Sequence, residues 1–164
     1  MAKTRDSGNR RAASLCFLPT RPVVRYIVRY MSDVDRAIVA ARAAAERAYA
    51  PYSGFHVGAA VKLEGIDEPV AGCNVENASF GATVCAERTA ILSGIAAHGK
   101  RPIEFVVVAT SIDPPALPCA LCLQVMAEFC TPETPIIAVG SGERRIETQL
   151  GELLPSPFVF PESG

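Results

Sequence analysis

A chain of 164 residues with 49% hydrophobic and 20% charged content can bury one substantial core and is too short for two ordinary domains. Its net charge of −1 hides an asymmetry: seven of the sixteen basic residues but one of the seventeen acids precede Met31, leaving a net of −7 from there on. An acidic body disfavours the phosphate backbone of a nucleic acid and favours a small neutral partner, and no apolar run approaches the roughly 18 residues needed to cross a bilayer.

Residues 1–30 are Arg-rich, acid-poor and interrupted by Pro19 and Pro22, so they are expected to be a disordered extension, with a targeting peptide as the functional alternative. The folded domain is expected over residues 31–164. Ser32 or Asp33 can cap a helix through its side-chain oxygen, and Val34, Ile38, Ala41, Ala45 and Ala48 recur at helical spacing up to Pro51. Pro51-Tyr52-Ser53-Gly54 has turn chemistry, and Phe55 to Leu63 suits a strand. After Glu64-Gly65-Ile66-Asp67-Glu68-Pro69, Val70 to Val75 predicts a second strand in a hairpin with the first.

From Val84 to His98 the apolar set Val84, Ile91, Leu92 and Ile95 predicts a helix stopping near Gly99. Ile103 to Ala109 is a continuous apolar run, hence a buried central strand. Pro114, Pro115 and Pro118 break the chain before a helix from about Cys119 to Phe129. Pro135 to Val139 is another buried strand. The Gly140-Ser141-Gly142-Glu143 link is too short for a parallel crossover, so Arg144 to Thr148 must return antiparallel. Five strands with helices on both faces give a three-layer α/β/α domain around a mixed sheet.

The densest chemistry lies at the starts of the two later helices. Cys119 and Cys122, three apart, place both sulfurs on one face of a first turn, and Cys85 can bring a third thiolate to one metal ion. Three protein ligands leave a position for water, as a catalytic zinc site needs, and Glu87 stands close enough to reach that water without ligating. A helix N-terminus also favours thiolate over thiol. Cys73 and Cys130 read as small buried thiols; in a sharper reading Cys73 is a fourth ligand and the chain a non-catalytic zinc-stabilised binding module.

Three cysteines claimed by a metal, with no secretory signal in view, point to a reducing cytoplasm. Asn74 and Glu76 lie two apart at a strand end, so both can face one side and hold two sugar hydroxyls, or simply cap a loop. Asn77 reads as a loop-holding residue, and His56 and His98 as non-ligands.

Cys85-Ala86-Glu87 and Pro118-Cys119-Ala120-Leu121-Cys122, with Phe55-His56-Val57-Gly58-Ala59-Ala60 and Asn74-Val75-Glu76-Asn77-Ala78-Ser79, resemble the zinc-dependent cytidine deaminase family of the short, homotetrameric type. The resemblance runs from roughly Asp33 to Phe158 and implies the same α/β/α fold, Zn2+ on Cys85, Cys119 and Cys122, and Glu87 as the catalytic proton carrier. It implies hydrolytic deamination of cytidine or deoxycytidine to the uridine product, with release of ammonia, in pyrimidine salvage. A zinc ion on three thiolates carries a formal charge of −1 and acidifies water weakly, so the base becomes important.

By the same resemblance Phe55 packs against the base, Asn74 and Glu76 hold the ribose, the Ala86 backbone meets the pyrimidine edge and the Pro118 carbonyl faces the amino group. Arg88 offsets thiolate charge, its alternative being a solvated helix residue, and Phe158 enters a neighbouring subunit's site, implying a homotetramer. Two positions depart from the family pattern: Ala120 replaces the usual Gly, and Leu123 replaces an Arg near the metal loop. They raise the alternative of a modified cytosine nucleoside as substrate, as in the related blasticidin S deaminases.

Overall fold

The computed structural model describes residues 31–160, and the basic stretch expected to be disordered lies outside the described residues. Helix α1 (Asp33–Ala45) starts at Ser32, whose hydroxyl accepts from Asp35 N while the Asp35 carboxylate accepts from Ser32 N, a reciprocal capping box. Of the expected series Ala41 is buried and Val34 and Ile38 pack half-buried against the same core, but the tightest contacts also include Ala37 and Ala44, and the helix ends at Ala45, before Ala48 and Pro51. The reason is close approach: a Cβ on Gly58 would fall 1.9 Å from the Ala41 carbonyl oxygen, so only alanines fit where the helix presses on the sheet.

Strands β1 (Val57–Leu63) and β2 (Val70–Cys73) form the expected antiparallel hairpin. Strand β3 (Ile103–Thr110) pairs antiparallel with β1 and parallel with β4 (Pro135–Val139), and β5 (Arg145–Gln149) returns antiparallel to β4. The sheet order is β2-β1-β3-β4-β5, which puts β3 in the middle as its apolar run requires. Helix α2 (Ala86–His98) ends at Gly99 with φ of 73°, and α3 (Ala120–Met126) stops short of the expected Phe129. A short 3₁₀ turn (Phe80–Ala82) and a one-turn helix α4 (Leu150–Leu153) complete the described elements. Neither spans enough residues to show a period in the sequence.

Because side chains alternate across a strand, the sheet builds two cores. Val57, Ala59, Val61, Leu63, Val106, Val108 and Ile136 face α2 and α3, where Ala90, Ile91, Cys122 and Met126 meet them. Ala60, Phe105, Val107, Ala109, Ile137 and Val139 face α1 through Ala37 and Ala41. The result is the three-layer domain around a mixed five-stranded sheet. Leu92 departs from its expected place in the α2 stripe and stands 56% exposed. Among the described residues no helix is long and apolar enough to cross a membrane.

Candidate active site

Both cysteine motifs sit where their helices begin. Cys85 is the N-cap of α2 and Cys119 the N-cap of α3, with nearly the same extended backbone (φ −71°, ψ 157° and φ −72°, ψ 162°). Neither side chain caps its own helix, so both sulfurs are free to turn toward a common point. Cys122 lies one turn into α3 and is buried. Helix α2 owes its position to Gly72 of β2: a Cβ there would lie 2.4 Å from Ala90 N and 2.9 Å from Ala86 O, a close approach that tolerates no side chain.

The three sulfurs lie within 4.8 Å of one another, with Cys85 Sγ to Cys119 Sγ at 3.9 Å and Cys119 Sγ to Cys122 Sγ at 3.6 Å. Sulfurs about 2.3 Å from a tetrahedral zinc are separated by about 3.8 Å, so the donor set and its spacing fit that ion. This is the one such group among the described residues. Cys73 stands outside it, its thiol directed at the Arg47 carbonyl at 3.6 Å, and neither His56 nor His98 belongs to it.

Charge around the cluster is set by close neighbours. Cys85 is drawn down to about 5, first by the Cys122 thiol and then, against the cost of burial, by Arg88 and Cys119; Cys122 is correspondingly pushed up. Arg88 Nη2 donates to Cys85 Sγ at 3.6 Å and to the Thr83 carbonyl at 2.8 Å, so this side chain is spent on the cluster and its approach loop rather than on solvent. Glu87, in the first turn of α2, is 4% exposed, and burial, reinforced by the nearby Cys85 thiolate, raises its pKa.

A cavity of about 220 Å³ opens beside these groups. Cys85, Ala86, Glu87 and Cys119 line it together with Phe55, Asn74 and Glu76. Asn74 accepts from Val57 N at 2.9 Å and donates to Phe55 O at 2.8 Å, fixing the entry to β1. Glu76 accepts from Tyr52 N at 2.8 Å, from Ser53 N at 3.2 Å and from the Ser53 hydroxyl. These bonds, the Ser53 hydroxyl first, hold its carboxyl below the usual range. Asn77 accepts from Ser79 N at 2.9 Å, the loop-holding role expected of it.

Phe158 is 69% exposed and does not line this cavity. Ala120 and Leu123 do not line it either; Leu123 is buried in the core, which explains how an apolar side chain is tolerated there. Thr83 and Leu117, which flank the two cysteine motifs, also line the cavity, as do Ser53, Val108, Thr110 and Ala116, which no motif marks as site residues. Ser53 carries a signal in its turn motif, whereas Val108 and Thr110 are ordinary strand residues until the fold brings β3 against the cavity.

The profile of the family described as "Cytidine and deoxycytidylate deaminase zinc-binding region" matches residues 31–138. The cytidine deaminase of Sporosarcina psychrophila is 39% identical over 127 residues, covering 77% of this chain and 91% of that one. That of Halalkalibacterium halodurans is 40% identical over 128 residues, covering 77% and 95%. The crystal structure of cytidine deaminase from Burkholderia pseudomallei superposes with a TM-score of 0.70 at 44% identity, covering 74% of this chain and 96% of that one. The Mycobacterium tuberculosis enzyme does so at 0.67 and 32% identity, covering 79% and 100%. With sequence, fold and a three-sulfur centre suited to zinc in agreement, the chain belongs to the zinc-binding cytidine and deoxycytidylate deaminase family.

Proposed function

We propose that this protein hydrolyses cytidine and deoxycytidine to uridine and deoxyuridine, releasing ammonia, in pyrimidine salvage. The observation that carries the reading is a three-cysteine cluster at the edge of a cavity of nucleoside size, which two of its sulfur residues, Cys85 and Cys119, line together with a buried carboxyl of raised pKa. Cys85, Cys119 and Cys122 would hold the zinc, which when bound supplies Lewis-acid activation of water at neutral pH. Glu87 takes one proton of the attacking water and delivers it to N3 of the pyrimidine; it then takes the second, from the new C4 hydroxyl, and passes it to the amino group, which leaves C4 as ammonia. Its raised pKa suits both duties, since a carboxyl poised nearer neutrality gives a proton back as readily as it accepts one.

Arg88 offsets the accumulated thiolate charge through its bond to Cys85 Sγ. Phe55 packs against the base and the Ala86 backbone meets the pyrimidine edge, both lining the cavity. Asn74 and Glu76 hold the sugar hydroxyls with acceptor capacity left over from the turn they organise.

The family name spans nucleosides and a nucleotide. Among the described residues no Lys, Arg or His lines this cavity, whereas Glu76 and Glu87 do, which supports a neutral nucleoside. A 5′-phosphate desolvated near Glu76 would meet like charge, so deoxycytidylate is expected to be turned over at least about 100-fold less well than deoxycytidine.

We assign a homotetramer in the cytoplasm. Support for association comes from exposed Val75, Phe80, Leu92, Leu121 and Phe158, apolar surface that a second copy would cover. The thiols require a reducing compartment.

The test is zinc-loaded protein with cytidine, deoxycytidine, deoxycytidylate and an aminosugar-linked cytosine nucleoside, followed by ultraviolet absorbance and ammonia release. Turnover of the first two supports the assignment. Turnover confined to the aminosugar compound moves it to a blasticidin S deaminase-like activity, and none at all leaves a zinc-stabilised binding module.

A further inference from the structure

Helix α3 begins at the metal cluster and carries, one turn past Cys119, a residue with a separate task. Gln124 Nε2 donates to the Phe158 carbonyl at 2.9 Å, and Gln124 Oε1 accepts from Phe158 N at 2.9 Å. This paired contact imitates the edge of a strand and fixes both the place and the direction of the main chain. Only a primary amide presents a donor and an acceptor side by side in one plane; a glutamate would set a second acceptor against the Phe158 carbonyl.

The tail leaves α4 through Pro155 and Pro157, which restrict its backbone, and among the described residues no other hydrogen bond reaches 155–160. Phe158, Val159 and Phe160 are 69%, 74% and 79% exposed. Three successive apolar side chains therefore stand in water on a backbone held at one point. An unattached tail would have no use for so directional a clamp, whereas a segment that must enter another molecule at one angle gains from being ordered beforehand.

We propose that Gln124 is a positioning residue for substrate binding: by clamping the Phe158 main chain of its own copy it aims that ring at the cavity of a neighbouring copy. The proposal rests on the reading above that Phe158 acts across a subunit contact, since the ring does not line its own chain's cavity. It ties the tail to the helix that carries Cys119 and Cys122, so the aim of one copy's aromatic is set by that copy's own metal helix.

The test uses full-length, zinc-loaded protein. Gln124→Met keeps the side-chain volume and removes both bonds; KM for cytidine is expected to rise about 3- to 30-fold, the worth of one or two hydrogen bonds, while kcat and zinc content hold. The Phe158 amide is expected to be protected from hydrogen exchange in the unaltered protein and to lose that protection in Gln124→Met. Phe158→Ala should raise KM likewise, and adding Gln124→Met to it should change nothing further.

If Phe158→Ala raises KM and Gln124→Met does not, the clamp is refuted and the shared-site reading stands. If Phe158→Ala leaves KM alone, the shared-site reading itself is refuted. Mixed oligomers of Glu87→Gln and Phe158→Ala protein separate the cases independently, because low-KM sites reappear only when the ring is supplied by the neighbour. Should Gln124→Met fail to fold, exchange at Phe158 in the unaltered protein decides, and an unprotected amide overturns the proposal.

Discussion

Two helix beginnings in this molecule are built to opposite ends. At α1 the Ser32 hydroxyl and Asp35 carboxylate satisfy each other's backbone donors, the arrangement that best stabilises a helix start. At α2 the N-cap is Cys85, which makes no capping bond and sends its sulfur to Cys119 and Arg88 instead, and α3 repeats the pattern with Cys119. The first spends its side chains on its own stability. The other two leave theirs available to chemistry and are held in place from behind, α2 by its close seat on Gly72 and α3 by buried Cys122, Leu123 and Met126.

Breaking the sulfur cluster should have the largest effect. Cys122→Ala removes a fully buried proposed ligand, and turnover is expected to fall to background with zinc lost on metal analysis; chelation of the unaltered protein should do the same and be reversed by zinc. Next, Glu87→Gln should keep zinc and lower kcat about 10²- to 10⁴-fold, the range for a positioned proton carrier. A zinc-replete Glu87→Gln protein with undiminished turnover would remove the mechanism.

The lining residue Glu76 sharpens the contrast, since there binding rather than chemistry is at stake. Glu76→Gln is expected to raise KM about 10- to 100-fold with kcat moved less, as for hydrogen bonds to a charged group. The pH dependence follows in sign: the folded pKa of Glu76 lies below its ordinary 4.5, so its contribution is complete above 4.5 and fades as pH falls through the lower folded value. Steady-state KM against pH should therefore rise on the acid side in the unaltered protein and flatten in Glu76→Gln.

The supports come last. Gly72→Ala should overpack the seat of α2 and cost about 1–3 kcal/mol in denaturant melts, lowering activity through displacement of the Cys85 end. Ser32→Ala should cost about 0.5–2 kcal/mol of stability and leave kcat and KM alone, because nothing at the start of α1 lines the cavity. If Ser32→Ala damages catalysis as Glu87→Gln does, the division between stabilising and reactive helix starts fails.

Much of this was legible along the chain, because the features that carry it are local. A thiolate pair three residues apart at a helix start, an apolar run of strand length and a link too short for a crossover each constrain their own neighbourhood, and they give the sulfur motif, the central β3 and the antiparallel β5. That Ala37 and Ala44 share the tightest seat of α1, and that Leu92 is exposed, were not legible, since both depend on how near another element's backbone comes.

The same distinction divides the site. The sequence by itself determined which atoms can bind a metal or carry a proton, since those are properties of residue type and spacing. Only the tertiary structure decided that Glu76 is braced by the Ser53 turn, that Val108 and Thr110 line the cavity, and that Gln124 grips a segment 34 residues away. Such contacts join residues far apart in sequence, and no local pattern encodes a distance that exists only after the chain has closed on itself.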